Sequence, residues 1–211
     1  MRRYSPIDQV IIQLTHFLKP LAGDAASQRP NPAEALDDRV LTPDERRLST
    51  ALMRINHAGE ICAQALYQGQ AAMTRNAALK AHFKQAAAEE VDHLQWCQDR
   101  ITDMGGQVSR LTPLWQLGAL GIGRFAGLFG DAYSLGFLAE TEHQVSAHLS
   151  KHLERLPLND LKSRTILQQM RQDEEQHAYQ ALEHGGKPLP QGIRLLMTIS
   201  AKIMTSIAFY I

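Results

Sequence analysis

The sequence predicts an all-α protein built on four long helices. Hydrophobic residues make up 44% of the chain and aromatic residues only 6%, which is typical of helices packed through Ala, Leu, Ile and Met. Four stretches of about 25–30 residues contain no internal proline, and none has the alternating pattern of a strand. The length of 211 residues allows one sizeable core, so we expect a single bundle with appendages.

The first two long helices have clear boundary signals. Residues 42–45 read Thr-Pro-Asp-Glu, which is the pattern of a capping box with proline at the first helical position. This signal predicts a helix that continues to about residue 74. A second helix is predicted from about residue 77 to 104, where Gly105-Gly106 offers a left-handed stop.

Two further long helices follow a long connection. The third is predicted from about residue 131 to 155, before Pro157, and the fourth from about 160 to 184, before Gly185-Gly186. The second and third helices are therefore far apart in sequence, whereas the other two connections are short. Two short turns and one long crossover are typical of ferritin-like four-helix bundles.

Two apolar segments lie outside these four helices. Residues 111–130 contain five glycines and a single charge, Arg124, and residues 192–211 carry only Arg194 and Lys202. Neither contains 18 uninterrupted apolar residues, so a membrane-spanning helix is not required. We interpret both as additional helices that contact a membrane surface, with a packing helix or a dimer interface as the alternative.

The domain organisation is predicted to be simple. Residues 1–40 are expected to form a short helix, opened by Ser5-Pro6, and a polar linker, and residues 41–211 to form the bundle domain. The N-terminus lacks the continuous apolar core of a signal peptide. Lys+Arg and Asp+Glu are equal at 22 each, so we expect no nucleic-acid partner. The two cysteines, Cys62 and Cys97, form no disulfide framework.

The most informative pattern occurs twice. A Glu is followed 30 or 32 residues later by Glu-x-x-His, and the members are Glu60, Glu90 and His93 in the first copy and Glu142, Glu174 and His177 in the second. Residues three apart lie on one face of a helix, so each Glu-x-x-His aims a carboxylate and an imidazole at one point. Such a ligand set fits two iron or manganese ions, and the absence of thiolates argues against structural zinc.

Helical phase distinguishes the ligands from accidental matches. A third Glu-x-x-His, Glu140 with His143, also occurs, so the motif alone is weak evidence. Glu142 falls in register with the apolar stripe that includes Leu135 and Leu138, whereas Glu140 lies about 200° away around the helix axis. The other predicted ligand pairs also fall on apolar faces, which carry no Arg or Lys. Buried carboxylates without basic partners require cations.

The residues around these positions resemble the bacterial 5-demethoxyubiquinone hydroxylases, which are di-iron monooxygenases of the ferritin-like superfamily. The resemblance runs from about residue 41 to 211. It depends on Arg54–Glu60, which ends in Asn-His-Ala-Gly-Glu, on Glu89–Leu94 and on Asp173–Ala178. It implies that the first copy of the repeated pattern holds one iron ion and the second copy holds the other, with Glu90 and Glu174 able to contact both.

The resemblance also implies a reaction. Two iron ions and O2 would hydroxylate the ring of a 2-polyprenyl-3-methyl-6-methoxy-1,4-benzoquinol, a late step of ubiquinone biosynthesis. The reductant is unknown, with NADH as a candidate, and other ubiquinone-biosynthesis proteins are candidate partners. A prenylated substrate lives in lipid, so we expect a peripheral location on the cytoplasmic side of the inner cell membrane. His57, Tyr67 and His148 are candidates, by position alone, for proton or electron delivery.

Two alternatives remain at this point. The chain could be another ferritin-like di-metal protein, either an iron-storage ferroxidase or a peroxide-handling enzyme. It could instead be a non-catalytic helical scaffold for other quinone-synthesis proteins.

Overall fold

The computed structural model describes residues 27–211, and this part of the chain contains six helices and no strand. They are α1 (Pro43–Met73), α2 (Ala77–Asp103), α3 (Thr112–Gly127), α4 (Asp131–Arg155), α5 (Leu161–Glu183) and α6 (Gln191–Ala208). The all-α prediction is confirmed, and the ends of the four long helices lie close to the predicted ones. The short helix predicted at Ser5-Pro6 falls outside the described residues.

Local sequence signals account for the helix ends. Thr42 Oγ1 accepts a hydrogen bond from the backbone N–H of Glu45, and the Glu45 carboxylate accepts one from the backbone N–H of Thr42 at 2.8 Å. This is the predicted capping box at the start of α1. Gly105 and Gly185 follow α2 and α5 with φ of 73° and 95°, the left-handed conformation in which glycine is favoured.

Four of the helices form two hairpins that face each other. α1 packs along α2, and α4 packs along α5. Across the interior α1 contacts α4 and α2 contacts α5, so the four helices enclose one bundle. The crossover helix α3 packs along α1, and α6 lies against α1 and α4.

The apolar core of the bundle is divided into two clusters. One cluster includes Ala58, Trp96 and Met170, and the other includes Ala63 and Ala87. On α1, Glu60 falls between Ala58 and Ala63. On α2, Glu90 and His93 fall between Ala87 of one cluster and Trp96 of the other. The ligand positions therefore lie at the boundary between two apolar layers.

The crossover helix α3 approaches the backbone of α1 closely. A Cβ atom added at Gly69 would lie 2.6 Å from the carbonyl oxygen of Leu120, and one added at Gly123 would overlap the carbonyl of Leu66. These neighbours are helix backbone, which cannot move aside unless the two helices separate. Glycine at both positions therefore permits this crossing.

The crossing makes a testable prediction about α3. We expect Gly123→Ala to lower the free energy of unfolding by about 1–3 kcal/mol, because the added methyl group forces α3 away from α1. Gly121→Ala is the matched control, since nothing in the described part of the chain, apart from the adjacent backbone of α3 itself, lies within 4 Å of a Cβ at that position. The control should be neutral or stabilising by about 0.5–1 kcal/mol, because alanine replaces glycine inside a helix. Urea unfolding measures both, and equal effects would contradict the packing described.

The two apolar segments form α3 and α6, and both expose large apolar side chains. These are Leu114, Leu117, Ile122 and Phe125 on α3, and Ile193, Leu195, Leu196, Ile199 and Ile203 on α6. No helix within residues 27–211 has the length and hydrophobicity that crossing a membrane demands.

The segment before α1 packs on the bundle. Residues 27–42, which include part of the predicted polar linker, form no regular helix, yet Ala33 is buried in a core cluster. The Asp38 carboxylate accepts hydrogen bonds from Arg100 Nη1 at 2.9 and 3.0 Å. The described part of the segment is therefore held against α2.

Arg100 corrects one prediction. We expected no Arg or Lys on the apolar faces that carry the predicted ligands, but Arg100, seven residues after His93 on the same face of α2, has a side chain that is only 1% exposed. It donates to Asp160 Oδ1 at 2.8 Å and to Ser163 Oγ at 3.0 Å. The carboxylates that pair with Arg100 are Asp38 and Asp160, which lie just before α1 and α5. Helical phase does not predict where side chains outside a helix point, so this pairing could not be predicted from the sequence. The four carboxylates among the predicted metal ligands remain without an Arg or Lys partner within the described residues.

Candidate metal centre

The six predicted ligands meet in the interior of the bundle. α1 contributes one carboxylate, α4 contributes another, and α2 and α5 each contribute a carboxylate and an imidazole. All six are at most 5% exposed, and they are Glu60, Glu90, His93, Glu142, Glu174 and His177. Helical phase predicted that Glu142, and not Glu140, faces the core. The structure agrees, because the Glu142 side chain is fully buried.

The ligands form two groups that share two carboxylates. One group is Glu60, Glu90, His93 and Glu174, and the other is Glu90, Glu142, Glu174 and His177. Within each group the potential ligand atoms all lie within 4.8 Å of one another. Two adjacent ions could therefore be held with Glu90 and Glu174 between them, which is the sharing that the resemblance implies.

Both imidazoles direct the same nitrogen toward the carboxylates. His93 Nδ1 lies 3.0 Å from Glu90 Oε2 and 3.1 Å from Glu174 Oε1. His177 Nδ1 lies 3.4 Å from Glu90 Oε1 and 3.3 Å from Glu174 Oε2. Nδ1 is therefore the atom of each histidine that could bind a metal ion, and Nε2 points away from the centre.

Each outward nitrogen meets a carboxylate from the opposite hairpin. His93 Nε2 on α2 lies 2.9 Å from Asp173 Oδ2 on α5, and His177 Nε2 on α5 lies 2.6 Å from Glu89 Oε2 on α2. A metal on Nδ1 leaves the ring proton on Nε2, which can then donate to that carboxylate. This arrangement orients the imidazole and raises its basicity as a ligand.

Buried oxygens without partners test whether the site fits a metal. Within residues 27–211, both carboxylate oxygens of Glu142 are buried without a hydrogen-bond partner, as are Oε1 of Glu90 and Oε1 of Glu174. Such groups are costly to bury, and a cation satisfies all of them at once. The site therefore fits metal ions held by oxygen and nitrogen ligands.

The pKa values of the carboxylates report the same crowding. Burial, with the like charges of Glu174 and Glu90, raises the pKa of Glu60 well above its usual value. Burial and the charge of Glu174 likewise raise the pKa of Glu142. Burial also opposes ionisation of Glu174, but its interactions with the adjacent imidazoles of His177 and His93 outweigh it and lower the pKa of Glu174 to about 2. Without a metal ion, ionisation of Glu60 and Glu142 is therefore disfavoured.

Comparison with known proteins then identifies the family. A model of the family described as "Ubiquinone biosynthesis protein COQ7" matches residues 47–208, which include all six ligands. The chain belongs to the COQ7 family.

Relatives within the COQ7 family are similar over the whole chain. A protein of Coxiella burnetii (strain RSA 331 / Henzerling II), named 3-demethoxyubiquinol 3-hydroxylase, is 49% identical over 210 residues, covering 100% of this chain and 98% of the relative. Proteins of the same name from Xanthomonas euvesicatoria and Nitrosomonas eutropha are 47% and 49% identical, covering 99% and 97% of this chain and 96% and 99% of the relatives. The resemblance seen in the sequence is thus confirmed.

The three candidates for proton or electron delivery lie in different surroundings. Tyr67 on α1 is fully buried, and its hydroxyl has no hydrogen-bond partner among residues 27–211. His57 is also buried, and burial lowers its pKa to about 4. His148 packs against His152, with ring centroids 3.9 Å apart. None of the three forms a hydrogen bond to the six ligands within the described part of the chain, so their roles stay predictions.

Sequence reasoning missed the residues that orient the ligands. These are Glu89 and Asp173, which bind the histidines, and Arg29 and Asp92, which lie next to them. A signal was present in part, because an acidic residue precedes Glu90 and Glu174 in both copies of the repeated pattern. Arg29 had no such signal, since it precedes the bundle and meets α2 and α5 only in the folded chain.

Proposed function

We propose that this protein is a di-iron monooxygenase that uses O2 to hydroxylate the ring of a demethoxyubiquinol, a late step of ubiquinone biosynthesis. The observation that supports it most is the pair of ligand groups that share Glu90 and Glu174, in a chain of the COQ7 family. The full-length similarity to relatives named 3-demethoxyubiquinol 3-hydroxylase supports the substrate.

The ligand set supports iron as the metal. Each group offers three carboxylates and one imidazole, and neither contains a thiolate. Carboxylate-rich sites with few imidazoles favour iron or manganese over structural zinc. Iron ions in this site would supply the activation of O2 that ring hydroxylation requires.

The residues of the chain prepare the site for these ions. Asp173 and Glu89 hold the Nε2–H groups of the two histidines, so each imidazole keeps Nδ1 toward the interior. The apolar clusters on both sides exclude water, which strengthens the electrostatic interactions between carboxylates and metal. The shared carboxylates, Glu90 and Glu174, hold the two metal positions next to each other.

The surface of α3 and α6 supports a peripheral membrane location. Both helices expose apolar side chains, and Arg124, Arg194 and Lys202 are exposed among them. Such a mixture is typical of helices that lie in a membrane interface, where basic groups reach lipid headgroups. We place the protein on the cytoplasmic side of the inner cell membrane, where a prenylated substrate would be available. NADH remains a candidate reductant, and other ubiquinone-biosynthesis proteins remain candidate partners.

Complementation tests the proposed function directly. In bacterial cells that lack their own demethoxyubiquinol hydroxylase, we expect the protein to restore ubiquinone. The Glu90→Ala/Glu174→Ala double variant should instead accumulate the unhydroxylated precursor, because both shared ligands are lost. Quinone extraction with mass spectrometry measures the ratio, and circular dichroism checks that the variant remains helical.

Different failures lead to different conclusions. A double variant that still restores ubiquinone would favour a non-catalytic scaffold. A wild-type protein that binds iron but leaves the precursor unconverted would favour another ferritin-like di-metal protein. Sedimentation with phospholipid vesicles tests the membrane location separately, and protein that remains in solution would contradict it.

A further inference from the structure

The two histidines of the candidate centre have different surroundings at their outward nitrogens. Asp173, which meets His93, also binds Arg29 Nη1 at 2.8 Å through the same oxygen, and its side chain is 17% exposed. Glu89, which meets His177, accepts a further hydrogen bond from Gln85, and its side chain is 35% exposed. Within residues 27–211, no Lys or Arg forms an ion pair with Glu89. One half of the centre therefore has a fixed cation behind its imidazole and the other half does not.

Arg29 is held firmly by α2. Its Nε donates to Asp92 Oδ2 at 2.8 Å, and its guanidinium lies 4.9 Å from the centroid of the Trp96 ring. Asp92 also accepts hydrogen bonds from the backbone N–H of Gln28 at 2.6 Å and from Ser27 Oγ at 2.9 Å. Residues 27–29 are thus anchored on the Asp92 carboxylate, which is only 3% exposed. These contacts restrain the guanidinium, although the Arg29 side chain is 37% exposed.

The geometry links Arg29 to one ligand. When Nδ1 of His93 binds a metal, its Nε2–H donates to Asp173 Oδ2, which is the atom that Arg29 holds from the other side. Arg29 Nη2 also lies 3.2 Å from His93 Nε2, so the guanidinium limits movement of the ring. Arg29 fixes the position of Asp173 and offsets part of its negative charge at this histidine alone.

We propose that Arg29 is a positioning residue that makes the two metal positions inequivalent, by holding Asp173 against His93 while His177 depends on a more exposed carboxylate. Arg29 acts on His93 through Asp173 and is not itself one of the predicted metal ligands. This inference rests on the proposed metal centre, and it adds to that centre a difference between its halves.

Metal titration of the full-length, metal-free protein tests the proposal. Co²⁺ and Fe²⁺ are each titrated into wild type and Arg29→Gln, with binding followed by calorimetry. We expect wild type to bind in two steps, and the variant to weaken one step about 10–100-fold while the other is unchanged, as is typical when an outer partner of a metal-bound histidine is lost. Mössbauer spectra of the ⁵⁷Fe²⁺ protein should show a change in one iron doublet only.

Three further variants are matched controls. Glu89→Gln should weaken the step that Arg29→Gln leaves unchanged, because it affects His177. Ser27→Ala removes one contact to Asp92 and none to Asp173, so both steps should be unchanged. In a double-mutant cycle, Arg29→Gln should add little to Asp173→Asn, since the two residues act in series.

The outcomes separate this proposal from the proposed function. If Arg29→Gln leaves both metal-binding steps unchanged, or weakens both equally, the proposed role of Arg29 is wrong. If Arg29→Gln fails to fold, Asp173→Asn takes its place, because it leaves every contact of the segment with Asp92 intact. Weakening of both steps by that variant would equally overturn the proposal. Wild-type protein that binds neither metal would instead contradict the proposed function.

Discussion

Replacing Glu142 by alanine is expected to reduce bound iron from about two ions per chain to one or fewer, with loss of the proposed activity. Glu142 belongs to only one of the two ligand groups, and both its buried oxygens lack hydrogen-bond partners in the described part of the chain. Replacing Glu142 therefore removes a ligand from one metal position without breaking a hydrogen bond to another described residue of the chain. Elemental analysis of protein purified after iron loading measures the effect.

Glu140→Ala is the matched control on the same helix. The Glu140 carboxylate accepts hydrogen bonds from Arg194 Nε at 2.8 Å and from Gln144 Nε2 at 2.7 Å, and it belongs to neither ligand group. We expect its replacement to leave the iron content unchanged, although it removes a link between α4 and α6. Equal loss of iron from both variants would contradict the assignment of Glu142.

Replacing Arg100 by methionine is expected to lower the free energy of unfolding by about 3–5 kcal/mol. The change leaves the fully buried Asp160 carboxylate without its cation, although the apolar part of the side chain is retained. Asp160 also caps α5 by accepting a hydrogen bond from the backbone N–H of Ser163. Urea denaturation followed by circular dichroism measures the loss.

Two further variants test whether the buried partner is responsible. Asp38→Asn removes the other carboxylate partner of Arg100, but Asp38 is 45% exposed, so we expect a cost below about 1 kcal/mol. Arg100→Met/Asp160→Asn should be more stable than Arg100→Met alone, because no unpaired charge remains and asparagine still caps the helix. A cost from Asp38→Asn as large as that from Arg100→Met would refute this account.

Much of the fold, and the meeting of the six predicted ligands inside the bundle, could be predicted from the sequence because the signals are local. The capping box at Thr42 and the glycines that close α2 and α5 act within a few residues, so helix ends follow from short segments. Ligand spacing and helical phase likewise depend on one helix at a time. Glu142 and Glu140 could be distinguished because they lie on opposite faces of the same helix.

The residues that the sequence did not reveal depend on contacts between distant segments. Arg29 reaches Asp173 across 144 positions, and Arg100 reaches Asp160 across 60. Periodicity and caps do not show which of these side chains will pair, since the partners become neighbours only when distant segments dock. The close approach of α3 to α1 at Gly123 belongs to the same class, because a glycine inside an apolar stretch does not identify the helix it will meet.

The sharing of ligands between hairpins has a consequence for the order of folding. Each hairpin joins helices that follow each other in sequence, so its contacts form at a low cost in chain entropy. Each ligand group draws on both hairpins, and the outward bonds of the two histidines span 80 and 88 positions. Neither half of the chain contains a complete ligand group. We therefore expect iron to associate tightly only after the hairpins dock, and iron loading should slow unfolding far more than it accelerates refolding.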